Sequence, residues 1–359
     1  MPVFLSLFAG AGQQFFTNAG VPLAGGKIFT YGAGGSTPQA TYTTSAGNIA
    51  HSNPIVLDAA GRVPGGGEIW LTSNLAYKFV LQTAVNVTVQ TLDNVGGGVD
   101  GASLAASSGS SLVGFIQAGA GAVARTAQSK MRDVVSVKDF GAVGDGVADD
   151  TAAIQAAHAA SNQVFYPRGT YKINWTESTA LVTYSGQSRI CITGDNALLY
   201  DTRTYAVDSI SAVFQFTTCT DVVIDGLNYE GQPIVSKSNP TTGIGYRGAT
   251  FVNLSTNCAN VTVNADLKYL RYGIRGGDYS LPALGYNNNI SGKLTTLECG
   301  YPVALYLSDD IDFDITAEGS HRSAYLAGVR GGRCHVLFKN QYIAPAQVLL
   351  TDSTTNGQN

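Results

Sequence analysis

Between residues 135 and 171 the chain places a strand, a dense turn, a capped helix and a second strand in quick succession, and that order leaves few folds open. Val135 and Val137 alternate with polar neighbours, as a half-buried strand does. Gly141, Gly144, Asp145 and Gly146 form a turn cluster, in which glycine admits positive φ and aspartate bonds its own backbone. Asp149, Asp150 and Thr151 then precede an alanine-rich run from Ala152 to Ala159, which predicts an N-cap with acidic residues at the positive end of a short helix. Asn162 ends that helix, and Val164, Phe165 and Tyr166 open a strand that Pro167 and Gly169 turn. Asp145, Asp149 and Asp150 could also be read as a carboxylate cluster for metal or acid–base chemistry. Capping and turn formation account for all three, so they are read as architectural.

The remainder of the chain repeats one kind of run. Residues 221–226, 260–264, 288–292 and 310–315 each place Asp or Asn at a corner, followed by an apolar residue facing inward, and 334–338 is a fifth such run. Their separations are uneven, as in a solenoid whose turns carry insertions of variable length. Residues 305–307 and 324–326 supply further short strands, and the stretch leaves room for eight or nine rungs. Together with residues 135–171, these features resemble the pectate-lyase-like superfamily in the form found in bacteriophage tailspikes. The resemblance implies a right-handed parallel β-helix over residues 135–359, with the small helix lying over its open end.

Residues 1–98 read differently. Short runs at 27–31, 41–43, 54–57, 68–71 and 77–81 are rich in β-branched and aromatic residues and bounded by Gly, Pro, Asn or Ser, which predicts an antiparallel all-β unit. The spaced motifs at residues 20–31, Thr37-Pro38, 53–59, Gly61-Arg62, 69–71, 77–81 and Asp93-Asn94 resemble the head-binding domain of podovirus tailspikes. That resemblance implies a homotrimer fastened to phage tail or portal-adaptor proteins through residues 1–98. Residues 99–134 are a Gly/Ala/Ser linker followed by a helical pattern over 115–132, which predicts a neck helix on a threefold axis. Gly119 and Gly121 weaken its first turns.

Composition removes other classes. The net charge of −4 gives no basic surplus for nucleic acid. No run approaches the roughly 20 apolar residues of a membrane span, and residues 1–14 lack the basic start and long apolar core of a secretory signal. A secreted pectinase-like enzyme therefore fits less well than a protein made in the bacterial host cytoplasm and carried in the virion tail. Cys191, Cys219, Cys258, Cys299 and Cys334 show no Cys-x-x-Cys spacing, and the four histidines form no metal-binding motif. The expectation is reduced, buried thiols, no metal and no cofactor. The polar end at residues 351–359 shows no closing cap, leaving open a short spike or a β-helix that continues beyond it.

Chemistry has one local candidate. Asp310, Asp312 and Asp314 alternate with Ile311, Phe313 and Ile315, so on a strand the carboxylates share the outer face at steps of about 6.8 Å. Such carboxylates could act as acid and base in glycoside hydrolysis. With nearby Glu318, His321 and Arg322, eliminative cleavage of a uronate polymer is the other option. Charges outside a solenoid also arise from solubility alone. A second signal is the density of Tyr269, Tyr272, Tyr279, Tyr286, Tyr301, Tyr306 and Tyr325, whose rings could stack on sugars or pack internally. The reading is a tailspike or tail fibre that recognises host-surface polysaccharide. The alternative is a capsule or O-antigen depolymerase, a hydrolase or lyase, on the same scaffold.

Overall fold

The computed structural model describes residues 3–10, 12–96, 101–203, 205, 211–233, 248–277, 287–320, 324–339 and 348–351. The chain divides into two compact units, Met1–Asp133 and Val134–Asn359.

In the first unit, strands Ile55–Val56, Lys27–Gly32, Ala76–Gln82 and Thr88–Gly96 lie in that order in one antiparallel sheet. Alternation in 76–82 puts Tyr77, Phe79 and Leu81 inward, where they join Phe8, Phe15, Leu23, Ile28 and Ile69 in a core of their own. A helix does not run across residues 115–132. Instead Gly114–Phe115 pairs with Arg125–Thr126 as a two-stranded ribbon, and only Ala127–Met131 is helical. Gly119 and Gly121 take φ of 130° and 82°, which no right-handed helix accommodates, and the Thr126 side chain caps the short helix that follows.

The second unit is a parallel solenoid. Strands Ser188–Asp201, Thr220–Glu230, Ala259–Lys268, Asn287–Leu297, Ser308–Glu318 and Arg330–Lys339 stack as successive rungs of a ten-stranded sheet. Ala180–Ser185, Ala212–Thr217, Thr250–Leu254, Tyr272–Gly276, Tyr301–Tyr306, Ala324–Ala327 and Val348–Thr351 form a seven-stranded sheet beside it. Seven turns carry both sheets among the described residues, and the longer stack runs through eight successive strands from Asp145–Asp149 to Arg330–Lys339.

In-register stacking creates columns of like residues. Ile190, Val222, Val261, Ile290 and Ile311 form one inward column, and Ile192, Ile224, Val263, Gly292 and Phe313 the next. At the corner, Arg189, Asp221, Asn260, Asn289, Asp310 and Gly331 occupy equivalent positions, all at positive φ. Asn260 donates to Asp221 at 2.8 Å and Asn289 to Asn260 at 3.0 Å. Asn and Asp tolerate the left-handed region and bond along the column, which is why they recur in sequence at that point.

The helix Thr151–Ala160 covers one end of the core with Ile154 and Ala157. A covered end removes an edge open to pairing with other chains. His158, on its buried face, contacts the hydroxyls of Tyr184 and Tyr166, both at 2.6 Å. Asp150 occupies the N-cap position, yet its side chain does not cap the helix. Its carboxylate accepts instead from the backbone N–H of Val143 (2.7 Å) and Gly144 (3.1 Å), and it is Asp149 that accepts from Thr151. Asp145 accepts from Val147 and Ala148, bonds that hold its carboxyl below the usual range.

Candidate functional site

The two sheets present outer faces of opposite character. On the ten-stranded sheet, register places Asp312 beside Arg333 and Asp314 beside His335. Arg333 Nε donates to Asp312 Oδ1 at 2.9 Å, His335 Nδ1 lies 3.1 Å from Asp314 Oδ1, and Arg330 holds Asp309 by two bonds of 2.7 Å. Asp310 stands apart from its two partners, at the corner, with φ of 49°. All three side chains of the predicted set are exposed. A general acid needs a carboxyl kept protonated, ordinarily in a dry pocket. Asp312 and Asp314 lie instead on an open face against a guanidinium and an imidazole. Glu318 is on the same strand, opposite Lys339; His321 and Arg322 lie outside the described residues.

The outer face of the seven-stranded sheet carries aromatic rings. Tyr272 and Tyr301 occupy one register position on successive rungs and stack, with centroids 5.2 Å apart and planes 19° apart. Tyr325 meets Tyr301 edge-on at 6.5 Å and Tyr306 at 5.2 Å. Partial burial among these rings pushes the Tyr306 hydroxyl up to about 12, while Arg275 works in the opposite direction. Arg275 projects from the middle of its strand and donates to Asn253 Oδ1 at 3.2 Å; Arg271 lies over the Tyr272 ring at 4.9 Å. All four tyrosines are partly exposed. Tyr269 sits in a bend at φ 54°, and Tyr279 and Tyr286 lie outside the described residues.

A third cluster, invisible in the sequence, is buried. Arg203 grips Asp201 through Nη2–Oδ2 at 2.7 Å and Nε–Oδ1 at 2.9 Å, and its guanidinium stacks 3.1 Å from the Trp175 ring centroid. The hydroxyls of Tyr205 and Tyr229 donate to Asp201 Oδ2 at 2.6 and 2.8 Å, and burial raises both. With the Arg203 backbone N–H also donating at 3.0 Å, Asp201 has no acceptor capacity left for a substrate. The cluster is a structural pin. Nearby, Thr151, Gln155, Asn174, Trp175, Thr176 and Thr179 line a shallow depression without an ionisable group.

Residues 134–266 match the family model described as rhamnogalacturonase A/epimerase, pectate lyase-like. This stretch is a pectate-lyase-like domain. The chain is 46% identical over 66 residues to the tail spike protein of an Escherichia phage, an overlap of 18% of this chain and 8% of that protein. It is 47% identical over 64 residues to mannuronan C5-epimerase AlgE1 of Azotobacter vinelandii, covering 16% of this chain and 5% of that one. The chain thus spans under a tenth of the length of either relative. Among solved structures, ORF18 of Geobacillus virus E2 aligns over 60% of this chain and 52% of its own, at 16% identity and a TM-score of 0.34.

The pectate-lyase-like domain and the rungs that continue it hold the aromatic face together through register alone. Tyr272, Tyr301 and Tyr325 are 29 and 24 positions apart in sequence, so only stacking shows that they touch. Arg275 and Asn253 carried no sequence signal. His335, isolated in the sequence, becomes the partner of Asp314 for the same reason. Among the described residues no group of His, Cys, Asp or Glu could hold a metal, and no helix is long and apolar enough to cross a membrane.

Proposed function

We propose that this chain is a bacteriophage tailspike or tail fibre that recognises host-surface polysaccharide through its β-helix. The identity with the tail spike protein of the Escherichia phage is the observation that carries this reading. Residues 1–98 would fasten the spike to phage tail or portal-adaptor proteins, and three copies would associate through residues 99–134. Supporting that association, Leu104, Leu112, Ile116, Val123 and Met131 are exposed, and the short helix there buries no residue. Exposed apolar side chains concentrated in one segment mark an interaction surface. The partly exposed tyrosines of the seven-stranded sheet supply what polysaccharide binding needs, a row of flat apolar faces with polar tips. Five cysteines without a disulfide agree with synthesis in the host cytoplasm before assembly into the virion.

A second reading, depolymerisation of capsule or O-antigen on the same scaffold, is favoured by the carbohydrate-active description of the matching family. Asp310, Asp312 and Asp314 would be its local acid–base groups. Incubating the purified full chain with polysaccharide from susceptible hosts tests both. Retained binding with neither new reducing ends nor unsaturated uronates supports the adhesive reading, and release of either product supports the enzyme. Failure to bind any host glycan and failure to block phage adsorption would together remove the tailspike reading.

A further inference from the structure

The strands of the seven-stranded sheet contain no Asp or Glu, and Arg275 is their sole charged residue. The ten-stranded sheet is the opposite, with Asp221, Asp225, Asp266, Asp309, Asp310, Asp312 and Asp314 on its rungs. In a chain of net charge −4, the strands of this sheet therefore carry no carboxylate, with Arg275 within them and Arg271 at the rim over Tyr272. Among the described residues Arg275 makes one side-chain hydrogen bond, from Nη1 to the nearly buried Asn253. A guanidinium has five N–H donors in a planar fork. Anchoring through Nη1 fixes the plane of the fork and leaves donors for another group. Ala304 separates Arg275 from Tyr325 in the outward column, and Tyr306, Tyr272 and Tyr301 surround that column.

We infer that this face binds an acidic sugar, with the carboxylate of the glycan on Arg275 and the faces of neighbouring sugar rings against Tyr301 and Tyr325. The inference rests on the reading of the chain as a glycan-binding spike and names the class of glycan. A carboxylate matches the guanidinium fork in a way that a hydroxyl does not, because both oxygens can be engaged at once. Aromatic stacking supplies contact area that is indifferent to charge. Charge selection and ring stacking therefore reside on different residues and can be separated.

The test uses the full chain and a panel of polygalacturonate, alginate, hyaluronate and purified bacterial capsules, each as isolated and after chemical reduction of its carboxyl groups. At least one acidic glycan should bind, and carboxyl reduction should weaken it by tenfold or more. Arg275→Gln should weaken the acidic form by a similar factor without moving the thermal midpoint, and Arg275→Lys should recover part of it. Tyr301→Ala should weaken acidic and reduced forms alike. Equal binding of native and carboxyl-reduced glycans, or an Arg275→Gln variant indistinguishable from wild type, would overturn the acidic-sugar inference and leave glycan binding intact. Binding to no member of the panel or to host polysaccharide would overturn the underlying reading as well.

Discussion

His158, on the helix that covers one end of the solenoid, is a structural residue in the fold. Its ring is almost fully buried between two tyrosine hydroxyls, and burial lowers its pKa from the ordinary 6.5 to about 3. The neutral ring gives up one N–H and accepts one O–H, so both nitrogens are satisfied without charge. Because the folded value lies below the unfolded one, its contribution to stability is complete above pH 6.5 and disappears as the pH falls toward 3. The loss should approach about 1.4 kcal/mol per pH unit across that window. His158→Gln should flatten this part of a thermal-midpoint profile recorded between pH 3 and 7.5. Identical slopes in wild type and variant would show that another group is responsible. Asp312 and Asp314 are the converse case, exposed and paired with Arg333 and His335. Exposed ion pairs contribute little, so Asp312→Asn and Asp314→Asn should leave the thermal midpoint within about 2 °C and glycan binding within about twofold. A hundredfold fall in product release by either variant would establish the depolymerase reading and locate its chemistry.

At the scale of the element, the strands are set by register more than by propensity. Four of six successive rungs repeat the same choice at the same position: a left-handed Asn or Asp at the corner, then inward apolar residues. Gly292 interrupts one inward column because a Cβ there would lie 2.1 Å from the carbonyl oxygen of Val263 on the preceding rung. Gly292→Ala must displace that rung or its own, at a cost of about 1–3 kcal/mol. For a unit of this size the thermal midpoint should fall by roughly 2–4 °C per kcal/mol. A midpoint unchanged by the substitution would mean that the rungs slide apart more easily than their pairing suggests. The helix pattern over 115–132 fails for a related reason. Alanine propensity is a weak preference, and two glycines at positive φ permit a ribbon that closes with cross-strand bonds instead.

On the scale of the whole molecule, each unit has a separate hydrophobic core, one built around Phe8, Ile28 and Phe79 and the other running the length of the solenoid. Separate cores predict two calorimetric transitions, and a single transition at every scan rate would contradict that independence. If copies associate through residues 99–134, Val123→Asp with Met131→Asp should shift the sedimenting species from trimer to monomer without abolishing the β-sheet signal. A monomeric wild type would refute the association outright. Much of this organisation was legible beforehand, since turn residues, caps and alternation depend on neighbours in the chain. The outward position of Asp312 and Asp314 follows from local alternation, whereas the parallel solenoid and the helix covering its end were what the family resemblance implied. The aromatic face did not, nor did the Asp201–Arg203 pin or the partners of Asp312 and Asp314. The aromatic face and the ion pairs join residues about 20 or more positions apart, as do Trp175 and Tyr229 in the pin around Asp201 and Arg203, and the insertions between rungs vary in length, so no fixed spacing betrays which side chains will be neighbours. The helix at Thr151–Ala160 and the turn before it were determined by sequence alone, because hydrogen bonds such as those of Asp145, Asp149 and Asp150 are local. Which face of the solenoid is charged and which is aromatic was decided only by the stacking of the rungs.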